Sequence, residues 1–317
     1  MKALLFGPGG VGKTTLMKAV TSGYDFLRVI NLPPTRGISR EGYLFRGLLE
    51  LSIWDAGGQS HYMEHYFSEG QRNRIFADVK IAIFMVDSCD FNPAQHELFE
   101  SFLKNIKEFS PDIKKIFVLM NKTDLPNSDR DKIYQVLVTG LDETLFKMCA
   151  FSPVSVKNNT AQQRLIEILD EALQNSTLEM QKLLSIRKVL DDFKSKTNAE
   201  FFLFNRPDGL MITSTMGKIE ADPLNFLSLS MGSLESNVEA ILLKIWERVG
   251  KVQELVTLSM VVYEGENNYV IVREIDDFTI LMILTNDKNP DNFGSLIKNL
   301  QFSTDQLNSI KSIIGRN

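Results

Sequence analysis

Residues Gly7-Pro8-Gly9-Gly10-Val11-Gly12-Lys13-Thr14 spell G-x-x-x-x-G-K-S/T between an apolar run, Lys2–Phe6, and a stretch that reads as a helix from Lys13. No other feature constrains the fold as tightly. A loop of this kind turns successive backbone N–H groups toward an anion, which requires dihedrals that side chains resist. It also needs a strand to enter from and a helix to leave by, because the helix N-terminus adds its positive dipole end. The backbone and side chains of Gly7, Gly9, Gly10, Val11, Gly12, Lys13, Thr14 and Thr15 are therefore the expected phosphate contacts. Lys13 is placed to reach the β- and γ-phosphates, and the Thr14 hydroxyl to ligate Mg²⁺. The loop alone leaves adenine and guanine nucleotides undecided.

The flanking pattern extends the strand–loop–helix unit into a layered domain. Strands are predicted near Gly42–Arg46, Leu49–Trp54, Val79–Val86, Lys115–Met120 and Ala150–Val156. Stretches with three- and four-residue apolar spacing, Ala94–Phe109, Asp131–Phe146 and Ala161–Leu173, read as helices. Apolar strands alternating with amphipathic helices give a mostly parallel sheet covered on both faces, a doubly wound α/β fold. The polar run Gln174-Asn175-Ser176-Thr177 marks a boundary, dividing the chain into 1–176 and 177–317.

Beyond it the order changes to a smaller α+β domain. A helix at Leu178–Lys196 precedes strands at Glu200–Asn205 and Leu210–Thr215, joined by Arg206-Pro207-Asp208-Gly209, where Pro fixes φ and Gly accepts positive φ. A helix at Leu224–Val249 follows, then strands at Leu255–Tyr263, Tyr269–Ile275 and Phe278–Leu284, and a single final helix at Asn292–Ile314.

Two further motifs select the ligand. Asn121-Lys122-Thr123-Asp124 follows the strand KKIFVLM, at the carboxyl edge of the sheet where such folds bind ligands. A carboxylate there accepts hydrogen bonds from guanine N1–H and its 2-amino group; against adenine it would be left unpaired. Lys122 can lay its alkyl stem along the base. Ser155 and Val156, at the end of the last strand, are placed to close its other edge. Asp55-Ala56-Gly57-Gly58-Gln59 ends the strand LELSIW. Asp55 is placed to hold Mg²⁺ through water, Gly58 to offer its N–H to a γ-phosphate, and Gln59 to orient the attacking water. Thr35, in Leu32-Pro33-Pro34-Thr35-Arg36-Gly37, can bind Mg²⁺ by its hydroxyl and the γ-phosphate by its N–H. The catalytic set is thus Gln59, Lys13 and Gly58, and the metal set Thr14, Thr35 and Asp55. His61 and His65 stand at helical spacing without a third ligand, so they are expected on an exposed helix face. His96 receives no role.

The run Trp54-Asp55-Ala56-Gly57-Gly58-Gln59-Ser60-His61-Tyr62-Met63-Glu64-His65-Tyr66-Phe67, continuing to Ile75-Phe76, resembles the Rag/Gtr family of small GTPases. The resemblance implies a P-loop GTPase domain followed by a roadblock/longin-like domain. It further implies GTP/GDP and Mg²⁺ as cofactors, slow hydrolysis, and a role in nutrient signalling. Its implied partners are a second roadblock-like domain, in a homo- or heterodimer, and effector and regulatory proteins at the switch regions. The helix Leu224–Val249, with Leu227, Met231, Leu234, Val238, Ile241 and Ile245, is the candidate dimer surface. Pro8 is unusual for the family. The alternative is a nucleotide-binding scaffold with little hydrolysis, whose second domain assembles complexes.

Composition narrows the partners. The net charge is −5 and neither half carries a basic excess, which argues against nucleic acid. Two cysteines, Cys89 and Cys149, are too few for a disulfide framework and read as buried thiols. No apolar stretch is long enough to span a bilayer, and no leader or lipid-attachment motif is read at either end. The expectation is a cytoplasmic protein without direct membrane insertion, recruited to membranes, if at all, through partners.

Overall fold

The computed structural model describes residues 1–21, 32–216, 260–302 and 304–315. Strand β1 (Lys2–Phe6) is apolar at four successive positions, and Ala3 through Phe6 are all buried. A strand buried on both faces belongs in the middle of a sheet covered by helices. It lies there: β2 (Ile38–Phe45), β3 (Leu49–Ala56), β4 (Val79–Asp87), β5 (Ile116–Asn121) and β6 (Cys149–Pro153) complete the order β2-β3-β1-β4-β5-β6. β1 pairs in parallel with β3 on one side and β4 on the other, and β4–β5 and β5–β6 are parallel too. The chain therefore reverses its winding direction beside β1. A crevice opens at the carboxyl ends of strands at such a point, and the glycine loop leaves β1 there.

Helices cover the sheet with apolar stripes at helical spacing. Helix α1 (Lys13–Thr21) starts in the loop. Helices α2 (Ser60–Tyr66) and α3 (Glu69–Phe76) follow β3. Helix α4 (Ala94–Phe109) buries Phe99, Phe102, Leu103 and Ile106, the i, i+3, i+4, i+7 stripe of an amphipathic helix. Phe6 sits in a nest of rings, its centroid 5.2 Å from Phe102, 5.7 Å from Phe67 and Phe76, and 6.0 Å from Tyr66. The residue just before the glycine loop is thereby anchored on several sides.

The helix predicted at Asp131–Phe146 is two helices, α5 (Arg130–Val138) and α6 (Glu143–Phe146). Gly140, at φ 81°, lies between them, and the Asp142 carboxylate accepts from the N–H groups of Thr144 and Leu145. A positive-φ glycine after one helix and an aspartate cap before the next are a stop and a start signal, which override continuous apolar spacing. Helix α7 (Thr160–Gln174) closes this part. The thiols are free and only partly buried, not the fully buried pair expected.

By compactness the chain forms two units, residues 1–45 with 50–173, and 46–49 with 174–317. The second contains helix α8 (Thr177–Lys196) and strands β7 (Glu200–Asn205), β8 (Met211–Ser214), β9 (Met260–Glu264), β10 (Tyr269–Asp276) and β11 (Thr279–Thr285). They form an antiparallel sheet in the order β8-β7-β11-β10-β9. The final helix is also divided, into α9 (Pro290–Phe302) and α10 (Thr304–Ile314). Thr304 and Asp305 open the second piece, a helix-start composition set inside a continuing apolar pattern. The expected helix Leu224–Val249 and residues 255–259 of the expected strand lie outside the described residues. Among the described residues no helix is long and apolar enough to cross a membrane.

Replacing Phe6 with Ala should lower the stability of the first unit by about 3–5 kcal/mol, the usual cost of deleting a fully packed ring. Hydrogen exchange of the β1 and β4 amides would measure it. Unchanged protection would contradict the anchoring role assigned to Phe6.

Candidate functional site

The loop after β1 is held by contacts that only its residue types permit. Gly12 has φ 98°, and a Cβ there would stand 2.8 Å from the side-chain nitrogen of Asn121. Gly58, arriving from the end of β3, passes so close that a Cβ on it would lie 2.2 Å from the Gly9 nitrogen. Lys13, only 5% exposed, donates from Nζ to the carbonyls of Gly7 (2.8 Å) and Pro8 (2.7 Å), so its amine lies along the loop itself. Burial pulls the Lys13 pKa down to about 8, with the Asp55 carboxylate opposing that shift.

Beside Lys13, oxygens from three segments converge. Asp55 Oδ2 accepts from Thr14 Oγ1 at 2.5 Å and from Thr35 Oγ1 at 3.1 Å, and the two hydroxyls are 2.6 Å apart. Asp55 is fully buried, and among the described residues its Oδ1 has no hydrogen-bond partner. Burial raises the Asp55 pKa, while the Thr14 hydroxyl, Lys13 and the Thr35 hydroxyl work against the rise. A buried carboxylate oxygen without a partner is costly. A small, hard divalent cation takes an all-oxygen set of this kind, so the donors fit Mg²⁺. The Thr35 segment is laid in place by the main chain, where Gly57 N–H donates to Gly37 O at 2.8 Å. Among the described residues no three His, Cys, Asp or Glu side chains form a metal cluster. His65 is exposed, His96 Nδ1 lies 3.0 Å from the Leu137 carbonyl, and the side chain of His61 is outside the described set.

Gln59 occupies the N-cap position of α2 in extended conformation, φ −71° and ψ 142°. Its carbonyl accepts from Tyr62 and Met63, and its side chain makes no capping bond. The first turn of α2 is thus secured by the main chain, leaving the Gln59 amide out of the cap.

A cavity of about 410 Å³ adjoins the loop, walled by Gly10, Gly12, Thr15, Lys122, Asp124 and Val156 among others. Its seams are closed by Asn121, which is 3% exposed. Asn121 Nδ2 donates to Val11 O at 2.8 Å and its Oδ1 accepts from Val156 N at 3.0 Å, so one amide joins the glycine loop to both loops that end β5 and β6. Ser155 does not form the wall. Its hydroxyl donates to Asp124 Oδ1 at 2.6 Å and its N–H is capped by Thr160 Oγ1 at 2.8 Å. One Asp124 oxygen is thereby oriented from behind. Thr123 Oγ1 donates to Val154 O at 2.9 Å, fastening the same turn. Lys122 has φ 67°, and its Nζ donates to Asp87 Oδ2 at 2.6 Å. Asp87 escaped the sequence reading. Its only signal is a lone acid at the carboxyl end of the apolar run IAIFMVD.

Comparison with known proteins places these features in a family. The family model described as "Gtr1/RagA G protein conserved region" matches residues 2–230. GTP-binding protein GTR1 of Saccharomyces cerevisiae is 29% identical over 223 residues, 68% of this chain and 69% of that protein. GTP-binding protein gtr1 of Schizosaccharomyces pombe is 32% identical over 166 residues, 46% of this chain and 53% of that protein. Ras-related GTP-binding protein B of Rattus norvegicus is 26% identical over 262 residues, covering 72% and 67% respectively. The solved structure of the Arl6 (BBS3) small GTPase of Trypanosoma brucei, with bound GppNp, aligns at TM-score 0.43 and 17% identity. It covers 56% of this chain and 99% of that one.

The depressed Lys13 pKa makes polyphosphate affinity depend on pH. A polyanion favours the charged amine, so the pKa in the complex lies above the free value of about 8. Affinity should fall above that pH, by roughly tenfold per pH unit until the pKa of the complex is reached. Titration calorimetry with a nucleoside triphosphate on both sides of pH 8 would read this. An affinity that does not decline above pH 8 would contradict a titrating Lys13.

Proposed function

The chain belongs to the Gtr1/RagA family of G proteins, and from that premise we propose that it is a GTP-controlled switch that hydrolyses its nucleotide slowly. The observation that carries the reading is a single pocket. The glycine loop and Asn121-Lys122-Thr123-Asp124 meet around one cavity, and Ser155 presents the Asp124 carboxylate from behind. A carboxylate held in that way matches the paired N–H donors of guanine and penalises adenine.

In this reading the nucleotide's phosphates draw the Lys13 ammonium off the carbonyls of Gly7 and Pro8. Backbone N–H groups from Gly9 to Thr15 surround the phosphates. Thr14, Thr35 and Asp55 would hold Mg²⁺, which supplies neutralisation of phosphate charge when bound. Gly58 offers its N–H at the γ-phosphate and Gln59 orients the attacking water. Catalysis is then positioning and electrostatics, with no covalent step for the protein. Thr35 would couple nucleotide state to the loop that carries it, its hydroxyl exchanging Asp55 and Thr14 for the cation and its N–H meeting the γ-phosphate. Effectors and regulators would read that loop and α2. A low basal rate follows from having Gln59 and Lys13 in place while the remaining cationic charge comes from a partner.

Residues 177–317 form the proposed dimerisation domain. The support is an antiparallel five-stranded sheet, preceded in the chain by α8 and followed by α9 and α10. The pairing would be with a second domain of the same kind, in a cascade that answers to nutrient supply.

Two measurements test the switch. In competition binding GTP should displace a guanine nucleotide far better than ATP, by a factor of about 10³ or more given the cost of a carboxylate left unpaired beneath the base. ATP competing equally would overturn the base assignment. In single-turnover assays Gln59→Leu should slow hydrolysis by about tenfold or more while leaving GTP affinity near wild type. Equal rates near the uncatalysed background would remove the enzymatic part and leave a nucleotide-binding scaffold.

A further inference from the structure

We propose that Asp87 is a positioning residue of the base pocket, holding the ammonium of Lys122 so that the lysine's alkyl stem stands as a fixed wall for the purine. This rests on the reading that the cavity takes a guanine base. Asp87 ends β4 and is the register partner of Asn121 in β5, so the strand pairing delivers it beside the turn that begins with Asn121. Its two carboxylate oxygens face different tasks. Oδ1 accepts from the Cys89 N–H at 2.9 Å, which orients the group, and Oδ2 receives Lys122 Nζ at 2.6 Å. The pair is partly shielded, the aspartate side chain being 18% exposed and the lysine 33%. Asp87 does not line the cavity, whereas Lys122 does.

The backbone of Lys122 supports the same conclusion. A φ of 67° is uncommon for a side-chain-bearing residue and persists only where the surroundings over-determine it. The turn is fixed by Thr123 on Val154, and the distal end of the side chain is fixed by Asp87. A lysine stem left free samples many rotamers, and a base packing against it must first order it. Clamped at both ends, the stem is ordered before the ligand arrives, and pre-organisation of this kind acts mainly by slowing dissociation. Because the ammonium is already matched by a carboxylate, the wall presents methylenes to the base and keeps its charge at the rim.

The test is the dissociation rate of a fluorescent GDP analogue from the full chain with Mg²⁺, measured for wild type, Asp87→Ala, Lys122→Ala and the double variant, with Asp87→Asn as the conservative change. Asp87→Ala should release nucleotide about tenfold faster, and Asp87→Asn, which keeps one acceptor oxygen but loses the charge and the second acceptor, should fall between it and wild type. The double variant should release no faster than Lys122→Ala alone, since Asp87 acts only through that lysine. A wild-type rate in Asp87→Ala overturns the proposal. So does full additivity in the double variant, the signature of a merely structural cap on Cys89. If wild-type protein holds the GDP and ADP analogues equally, the guanine reading falls and the proposal with it. If the guanine preference is intact but the cycle is additive, only the role of Asp87 falls.

Discussion

One buried side-chain amide joins the parts that chemistry would need together. Asn121 donates to the glycine loop through Val11 and accepts from the loop after β6 through Val156. It has no freedom to do otherwise, because Gly12 leaves room for its nitrogen only by lacking a Cβ. Removing the amide would strand a buried carbonyl and a buried N–H at once, each a loss of about 1–3 kcal/mol. It would also release two walls of the cavity from each other. The geometry of both ends of a nucleotide site thus hangs on a residue whose polar atoms are used internally.

The charged groups around that frame are held in states that cost stability and that a ligand relieves. Lys13 is buried with its pKa drawn down to about 8, and Asp55 is buried with its pKa raised. The Lys13 ammonium meets the carbonyl dipoles of Gly7 and Pro8, and Asp55 Oδ1 has no hydrogen-bond partner among the described residues. Buried groups of opposite sign with incomplete partners are poor as structural devices and suited to a site that recruits counter-charges. Phosphate oxygens and a divalent cation are complementary to this pair of defects. The same logic explains the internal hydrogen bonds among Thr14, Thr35 and Asp55, which occupy the positions that ligation would claim.

What could be read from the sequence follows from how local each signal is. The glycine loop, the strand ends at Asp55 and Asn121 and the helix Ala94–Phe109 are written in contiguous residues whose spacing carries the geometry, and the first sheet emerged from them. Asp87 and the rear position of Ser155 were not legible. Both depend on which strand lies beside which, a fact of tertiary pairing and not of periodicity. Gly140 and Thr304-Asp305 are local stop and start signals set inside an apolar spacing that continues through them, and periodicity alone does not register such signals.

Switching would require that the loop carrying Thr35 be only conditionally held. Among the described residues its hydrogen bonds to the rest of the site are polar contacts of the Thr35 hydroxyl with Asp55 and Thr14 and of the Gly37 carbonyl with the Gly57 N–H. Leu32, Pro33 and Pro34, just before Thr35, are all exposed, so little apolar burial secures the segment. A segment fixed by a handful of polar contacts opens at low free-energy cost, whereas β1 beneath it is locked by aromatic packing. Stability is thus distributed as a sensor needs it. The frame that binds is rigid through Phe6 and Asn121, and the element that would report is retained by bonds whose strength depends on the charge beside Asp55.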